Sequence, residues 1–151
     1  MSIFKDFYLN VQLLSEEFPQ AKIPTRGTKE SAGLDFYTPI DITIQPNKDI
    51  LVPLGIKLEM PAGYALVFLE KSGIATKKKL TVGAKVVDSD YRNIPHAHLI
   101  NNSDETVTFT AGDKVVQGII TPVWLGDALK VESVNENTER GLGGFGSTGD
   151  R

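Results

Sequence analysis

The 151-residue sequence contains no cysteine. This absence excludes disulfide bridges, Cys-ligated zinc and thiol nucleophiles, and it favours a reducing compartment. Long hydrophobic runs are also lacking: none approaches the roughly 18 apolar residues of a membrane span, and charged residues near the start replace the apolar stretch of a secretory signal. The net charge of −3 provides no basic excess for a broad nucleic-acid surface. We therefore expect a cytoplasmic protein, in host cytoplasm if the source is viral, with neither nucleic-acid nor membrane partners.

Helical periodicity is scarce, and short apolar runs separated by turn formers dominate the chain. Ser72–Lys77 is the main helical candidate, a single turn capped by Ser72. The pattern predicts an all-β sandwich or barrel in a single domain, residues 1–151, with a core of about 8–134. Strands are predicted near Leu9–Leu14, Asp41–Gln45, Ile50–Leu58, Tyr64–Leu69, Lys85–Asp88, His96–Ile100, Thr106–Thr110, Lys114–Thr121 and Lys130–Val134.

The end of the chain, about residues 135–151, is polar and then rich in glycine. Such a segment cannot bury enough apolar surface to order itself, so we expect a mobile arm that orders when something binds it. Arg140, Phe145 and the hydroxyls of Ser147 and Thr148 lie among the glycines, and they favour a flap that closes over a ligand more than a passive tail.

Three internal segments also combine residues that could carry chemistry. Lys71-Ser72-Gly73 follows an apolar strand and could bind an anion through backbone amides, although an ordinary strand exit would look the same. Asp88 ends another apolar strand and could act as a general base, although Asp88-Ser89-Asp90 also suits a simple turn. Gln117 is the one long amide in its strand, and it needs hydrogen-bond partners that a ligand could supply.

Taken together and in order, these segments resemble the five signature motifs of the trimeric deoxyuridine triphosphatases (dUTPases). The motifs correspond to Ala32–Asp35, Lys71–Ala75, Gly83–Arg92, Gly112–Lys114 with Gln117, and Arg140–Gly149. The resemblance implies a distorted β jelly roll with a mobile C-terminal glycine-rich arm. It also implies a homotrimer with shared active sites, which hydrolyses dUTP to dUMP and pyrophosphate, clears dUTP from the nucleotide pool and supplies dUMP for thymidylate synthesis.

The same resemblance assigns roles to individual residues. Asp88 is implied as the carboxylate that activates water for attack on the α-phosphorus, and Tyr91 as the ring that packs under deoxyribose and rejects UTP. The remaining substrate-binding residues fall into three groups. The uracil hairpin runs from Lys85 to Tyr91 and includes Val86 and Val87, with Gly83 just before it. The phosphate contacts are Lys71, Ser72, Gly73 and Gln117, of which Gln117 touches either the α-phosphate or the catalytic water. The arm contributes Arg140, Phe145, Gly146, Ser147 and Thr148.

Magnesium is implied as a companion of the triphosphate, without direct protein ligands, and Asp35 could assist through a water molecule or serve only the structure. Three positions depart from the usual motifs. Lys71 replaces an arginine and so offers a point charge instead of a bidentate fork. Lys85 stands where glycine is common, which suggests that its side chain points away from the base. Asn93 replaces a glycine and also tolerates left-handed turns.

Two alternatives remain open at this point. A dCTP deaminase would share the fold and catalyse a different reaction, and a nucleotide-responsive regulatory module would keep the fold and use the arm to bind a protein. Asp88-Ser89-Asp90-Tyr91 and the complete fifth motif favour the hydrolase over both. His96 has no assigned role: it could lie at the rim of the pocket, although a partly buried strand histidine is the favoured interpretation.

Overall fold

The computed structural model describes residues 8–145. In this part of the chain, twelve β-strands and one short α-helix follow one another along the sequence. The elements are β1 (Asn10–Leu13), β2 (Thr25–Arg26), β3 (Leu34–Tyr37), β4 (Ile42–Ile44), β5 (Asp49–Pro53), β6 (Ile56–Glu59), β7 (Tyr64–Leu69), α1 (Ser72–Lys78), β8 (Leu80–Val82), β9 (Val86–Asp88), β10 (His96–Asn101), β11 (Val107–Phe109) and β12 (Lys114–Pro122). The prediction of an all-β domain is confirmed.

The strands form four small sheets, and all of the strand pairs are antiparallel. The largest sheet has the order β2-β3-β12-β7-β9, and a second has the order β5-β10-β8. β1 pairs with β6, and β4 pairs with β11. Neighbours in the sheets are mostly distant in the sequence, so residues from separate motifs meet across strands.

One hydrophobic core lies between the sheets. Phe36 of β3 and Phe68 of β7 meet there edge to face, with ring centroids 5.1 Å apart, an arrangement that aromatic quadrupoles favour. Gly118 of β12 leaves room for this packing, because a Cβ at that position would lie 2.9 Å from the Phe36 ring and 2.5 Å from Leu66. The same alternation that fills the core turns the other face of each strand outward.

Several strand predictions need correction. Ile50–Leu58 is not one strand but two, β5 and β6, because Gly55 adopts a φ of +66° and turns the chain between them. Lys130–Val134 alternates in sequence but forms no strand within the described residues, since no neighbouring strand pairs with it. The sequence patterns also missed β2, β3 and β8, which are short.

The predicted helical turn is present as α1, but its cap differs from the prediction. Lys71 occupies the N-cap position without a side-chain hydrogen bond, and Ser72 is the first helical residue. The helix ends at Lys78, and the C-cap residue Lys79 adopts a left-handed φ of 56° and donates its amide to the Ile74 carbonyl. Lys77 and Lys78 in the last turn complement the negative end of the helix dipole.

Candidate active site

A surface depression of about 340 Å³ opens beside the connection between β8 and β9. These two strands do not pair with each other, since β8 pairs with β10 and β9 with β7. We call it the hairpin depression, after the predicted uracil hairpin that lines it. Its walls come from β5, from the β8–β9 connection and β9, and from the turn that leads into β10. The lining residues are Leu51, Ala84, Val86, Val87, Asp88, Tyr91, Pro95 and His96. It is therefore an apolar concavity with one carboxylate, one phenol and one imidazole at its edge.

Asp88 ends β9 with an exposed side chain. Its backbone carbonyl accepts the Tyr91 amide at 3.1 Å, which closes the turn and brings the phenol ring to the same depression. No ion pair or side-chain hydrogen bond involves the Asp88 carboxylate in the described part of the chain. Asp88 can therefore belong to a turn and also act as a general base. The turn itself holds the free carboxylate of Asp88 and the Tyr91 ring at the same depression.

The beginning of the β8–β9 connection is tightly packed around Gly83. Its amide donates to the His98 carbonyl at 3.0 Å, and a Cβ on Gly83 would lie only 2.1 Å from the His98 ring. Lys85 directs its ammonium towards Glu70, 3.7 Å from the carboxylate. The Glu70 carboxylate accepts the Val82 amide at 2.8 Å, and this hydrogen bond, opposed by burial and helped by Lys85, lowers the pKa of Glu70.

A second group of site residues surrounds Asp35, which is buried in β3. Its two carboxylate oxygens pair with the ammonium groups of Lys71 and Lys114. Although burial alone raises the pKa of Asp35, the hydrogen bonds and charges of Lys114 and Lys71 outweigh it, and the net pKa falls below the usual value. The same hydrogen bond to Asp35 raises the pKa of Lys114. We call Asp35, Lys71 and Lys114 the Asp35 cluster.

Gln117 lies next to this cluster, opposite Asp35 on β3 and Leu69 on β7. Its Nε2 donates to the Glu70 carbonyl at 2.8 Å. Gly33 faces the other side of the amide, where a Cβ would come within 2.6 Å of the Gln117 oxygen. Segments that are far apart in the sequence, namely the first, second and fourth motifs, are thereby joined into one surface.

Asp88 does not belong to that surface. It pairs with Ala65 at the beginning of β7, whereas Gln117 pairs with Leu69 near its end. The four-residue separation corresponds to about 13 Å along an extended strand, and Lys71 lies two residues further on. Within one chain, Asp88 and the residues of the hairpin depression therefore lie apart from the Asp35 cluster and Gln117.

The arm residues up to Phe145, where the described chain ends, touch neither group. Beyond β12 the described chain has no helix or strand, and its large apolar side chains are exposed, with Phe145 fully accessible and Leu142 86% exposed. Arg140 is exposed as well. Gly146, Ser147 and Thr148 lie outside the described residues, so their predicted roles stay predictions.

Sequence reasoning overlooked several contributors to the site. Lys114 belongs to the fourth motif but was not singled out, and only the pairing of β3 with β12 shows that it shares Asp35 with Lys71. Glu70 was likewise unassigned. His96 lines the hairpin depression with an exposed side chain, so the expectation of a partly buried histidine was wrong, and a place at the rim of the substrate pocket stays a prediction.

The Asp35 cluster yields a prediction about acid stability. Because the pKa of Asp35 is depressed, its stabilisation is complete above its unfolded pKa, near 4, and disappears as the pH falls through the lower folded value. Asp35→Asn should lower the free energy of unfolding by about 1–3 kcal/mol at pH 7, and the difference from the parent should shrink below pH 4. Urea unfolding at a fixed protein concentration measures both values.

Asp104→Asn is the matched control, because Asp104 is an exposed loop carboxylate and its neutralisation should change stability by less than about 0.5 kcal/mol. An Asp35→Asn deficit that is the same at pH 7 and pH 3.5 would show that the charge of Asp35 is not what stabilises the fold.

Comparison with known proteins matches this chain to dUTPases. The dUTPase family model matches residues 19–149. A deoxyuridine 5'-triphosphate nucleotidohydrolase of Yarrowia lipolytica is 40% identical over 142 residues, which cover 93% of this chain and 88% of that protein.

Solved structures show the same fold. The dUTPase of Staphylococcus bacteriophage 80alpha with dUPNHPP superimposes with a TM-score of 0.86 at 23% identity, covering 94% of this chain and 98% of that one. A mutant dUTPase of phage phi11 of S. aureus, described with a structural Mg(II) ion, gives a TM-score of 0.77 at 23% identity and covers 84% of this chain and 98% of that one. The predicted jelly-roll fold is confirmed.

Proposed function

Because the chain belongs to the dUTPase family, we propose that its two separated groups of residues serve the hydrolysis of dUTP to dUMP and pyrophosphate. The hairpin depression takes the nucleoside, and the surface around Lys71 and Gln117 takes the phosphates. The observation that carries this assignment is the free carboxylate of Asp88 beside the Tyr91 ring at the edge of an apolar concavity.

Asp88 supplies the base in this proposal. Its carboxylate accepts a proton from a water molecule as the water oxygen attacks the α-phosphorus, and the bond from that phosphorus to the bridging oxygen breaks to release pyrophosphate. A base positioned in this way typically contributes 10²–10⁴-fold to a rate. The exposure of Asp88, with no competing partner within residues 8–145, leaves the carboxylate available for water.

The uracil ring enters the hairpin, where Gly83, Lys85, Val86 and Val87 present backbone groups. The Lys85 side chain is directed to Glu70, so that it need not occupy the base position. The exposed Val86 side chain supplies apolar area at the depression. A uracil held by its own edge would place the sugar against Tyr91, which is the side chain that follows in the same depression.

Phosphates bind at the beginning of α1, by the amides of Ser72 and Gly73, which have no acceptor inside the helix. A Cβ at Gly73 would meet nothing within 4 Å, so nothing in the described chain requires glycine there, whereas close approach of a ligand to the backbone would. Lys71 adds a positive charge from the Asp35 cluster, and Gln117 an amide beside it. These donors stabilise charge that develops on the departing pyrophosphate.

Magnesium accompanies the triphosphate in this proposal. Within the described chain no three His, Cys, Asp or Glu side chains gather into a metal-binding group, and both oxygens of Asp35 face ammonium groups. These donors fit a cation held by phosphate oxygens and water, with Asp35 at most contacting its hydration shell. Bound there, the metal supplies charge neutralisation of the triphosphate.

A homotrimer with shared sites is the assembly we propose. The distance between Asp88 and the phosphate-binding surface in one chain supports this assembly, because a dUTP molecule that contacts both takes the hairpin from one subunit and the Asp35 cluster from another. The arm of a third subunit then provides Arg140, Phe145, Gly146, Ser147 and Thr148 to cover the nucleotide. The described chain contains no helix that could span a membrane. We also propose a cytoplasmic location, with which the absence of cysteine is compatible.

The direct test is pyrophosphate release from dUTP, dCTP, dTTP and UTP in the presence of Mg²⁺, with ammonia release from dCTP measured in parallel. We expect release from dUTP alone. Ammonia from dCTP would establish the deaminase instead, and binding of dUTP without turnover would establish the regulatory module.

Tyr91→Ala should weaken the rejection of ribose. Removing the ring opens the space under the sugar, so the ratio of kcat/KM for dUTP to that for UTP should fall by about 10-fold or more. Steady-state rates with both nucleotides provide the ratio. Tyr91→Phe serves as the control, because it keeps the ring and should keep the ratio. If the ratio were unchanged in Tyr91→Ala, the 2'-hydroxyl would be sensed elsewhere.

A further inference from the structure

Glu70 lies between the two groups of site residues, and the proposed hydrolysis gives it no task. It directly follows β7 and directly precedes Lys71. Its side chain is only 23% exposed, and it faces the connection of three residues, 83–85, that runs from β8 to β9. The contacts of this one residue therefore extend to both parts of the site.

The Glu70 carboxylate holds the β8–β9 connection at both of its ends. At the first end it accepts the amide of Val82, the last residue of β8, at 2.8 Å. At the other end it lies 3.7 Å from the ammonium of Lys85, directly before β9. The pKa of Glu70 is lowered, so the acceptor at neutral pH is an ionised carboxylate, which binds an amide more strongly than a neutral group does.

The two contacts are unequal in strength. Val82 is buried, and β8 is an edge strand of its sheet, so the Val82 amide depends on Glu70 where a neighbouring strand is lacking. The Lys85 side chain is 43% exposed, and an exposed ion pair contributes little because water screens it. The hydrogen bond to Val82 is therefore the main hold on the connection.

The backbone of Ala84 shows why the connection needs to be held. Its φ is 28°, in the left-handed region that residues with a Cβ avoid. Such a conformation persists only where the surrounding structure fixes it. Ala84 lines the hairpin depression, so the conformation of the connection sets the shape of the wall at which we place uracil.

The backbone of Glu70 serves the other part of the site. Its carbonyl accepts the Nε2 hydrogen of Gln117 at 2.8 Å, and the next residue is Lys71, which pairs with Asp35. A substitution of the Glu70 side chain leaves this carbonyl in place. The nucleoside side of the site can therefore be perturbed alone, with the phosphate side as an internal reference.

We infer that Glu70 is a positioning residue of this site, whose carboxylate holds the Val82 amide and thereby keeps the β8–β9 connection in the conformation that receives the base. The inference rests on the proposed function for the place of uracil. Base binding is the same in the ground state and in the transition state, because the base takes no part in the bond changes. Loss of such binding raises KM and leaves kcat nearly unchanged.

Three substitutions separate reach from charge at this position. Glu70→Ala removes both contacts, Glu70→Asp keeps the charge but draws it back by one methylene, and Glu70→Gln keeps an oxygen within reach of the Val82 amide but loses the charge. Glu105→Gln is the matched control, because Glu105 is an exposed loop carboxylate outside both groups of site residues. The probes are dUMP, which carries the nucleoside, and inorganic pyrophosphate with Mg²⁺, which carries only phosphates.

Glu70→Ala should raise the calorimetric dissociation constant for dUMP and KM for dUTP by about 5- to 10-fold, part of what one charge-assisted hydrogen bond contributes. We expect its kcat and its dissociation constant for pyrophosphate to equal those of the parent. Glu70→Asp should weaken dUMP binding in the same direction, whereas Glu70→Gln should stay within about 2-fold of the parent, because only the exposed ion pair is lost. Glu105→Gln should match the parent throughout.

Parental dUMP affinity in Glu70→Ala would overturn the inference, and so would an equal loss of dUMP and pyrophosphate binding, which would show that Glu70 only supports the fold. If Glu70→Ala does not fold, the two conservative variants decide: weaker dUMP binding in Glu70→Gln than in Glu70→Asp would assign the effect to the charge and contradict the hold on Val82. A parent chain that binds dUMP but releases no pyrophosphate from dUTP would defeat the proposed hydrolysis alone, since dUMP affinity is measured without turnover.

Discussion

Replacing Asp88 by Asn is expected to lower kcat for dUTP by about 10²-fold or more. The amide has nearly the same shape as the carboxylate but cannot take a proton from water, so the attacking nucleophile is lost. Because Asp88 is exposed and unpaired in the described chain, the exchange leaves no buried group without a partner, and the fold and the nucleotide affinity should persist. Steady-state turnover gives the rate, and calorimetry with an α,β-imido analogue of dUTP gives the affinity.

Asp104→Asn provides the matched exchange at an exposed loop carboxylate outside both groups of site residues, and its turnover should equal that of the parent. A dissociation constant for the imido analogue that rises in parallel with the loss of turnover would assign Asp88 to binding. Turnover at the parental rate in Asp88→Asn would remove Asp88 from the chemistry altogether.

Ending the chain after Glu139 is the second change with a large expected effect. It removes Arg140 and Phe145 together with residues 146–151, and we expect kcat/KM for dUTP to fall by about 10²-fold or more, because the arm completes and closes the site. Residues 123–139 and the whole β core remain. Since Arg140, Leu142 and Phe145 are exposed and make no contact with the core, the truncated chain should fold with an unchanged thermal midpoint.

The same truncation tests whether the arm closes the active site or holds the subunits together. Light scattering should report the same assembly for both lengths of chain, which would show that the arm acts in closure and not in association.

Phe145→Ala in the full chain is the finer variant: the loss of one aromatic ring stacked on a base typically costs about 1–3 kcal/mol, or roughly 5- to 100-fold in kcat/KM. Full activity of the truncated chain would contradict the closing flap.

The local pattern of the sequence identified most of the larger strands to within a residue or two. β7 alternates around Phe68 and is bounded by turn formers, and β4, β10, β11 and β12 are read in the same way. The failures share a cause. Lys130–Val134 has the right alternation, but a strand requires a partner, and periodicity carries no information about partners. The division of Ile50–Leu58 depends on the positive φ of Gly55, whose Cβ would collide with Phe18, a contact across the fold.

By itself the sequence determined the class of the fold, the family and the identity of the chemical groups, because apolar alternation, turn residues and motif order are properties of the chain. Tertiary structure alone decided which groups meet. The register of β12 between β3 and β7 brought Lys114 and Lys71 to Asp35, and the register of β10 turned His96 towards Tyr91. The length of β7 also set Asp88 apart from the phosphate-binding residues. Strand pairing joins positions that are far apart in sequence through backbone hydrogen bonds, which are common to all residue types, so no local pattern specifies it.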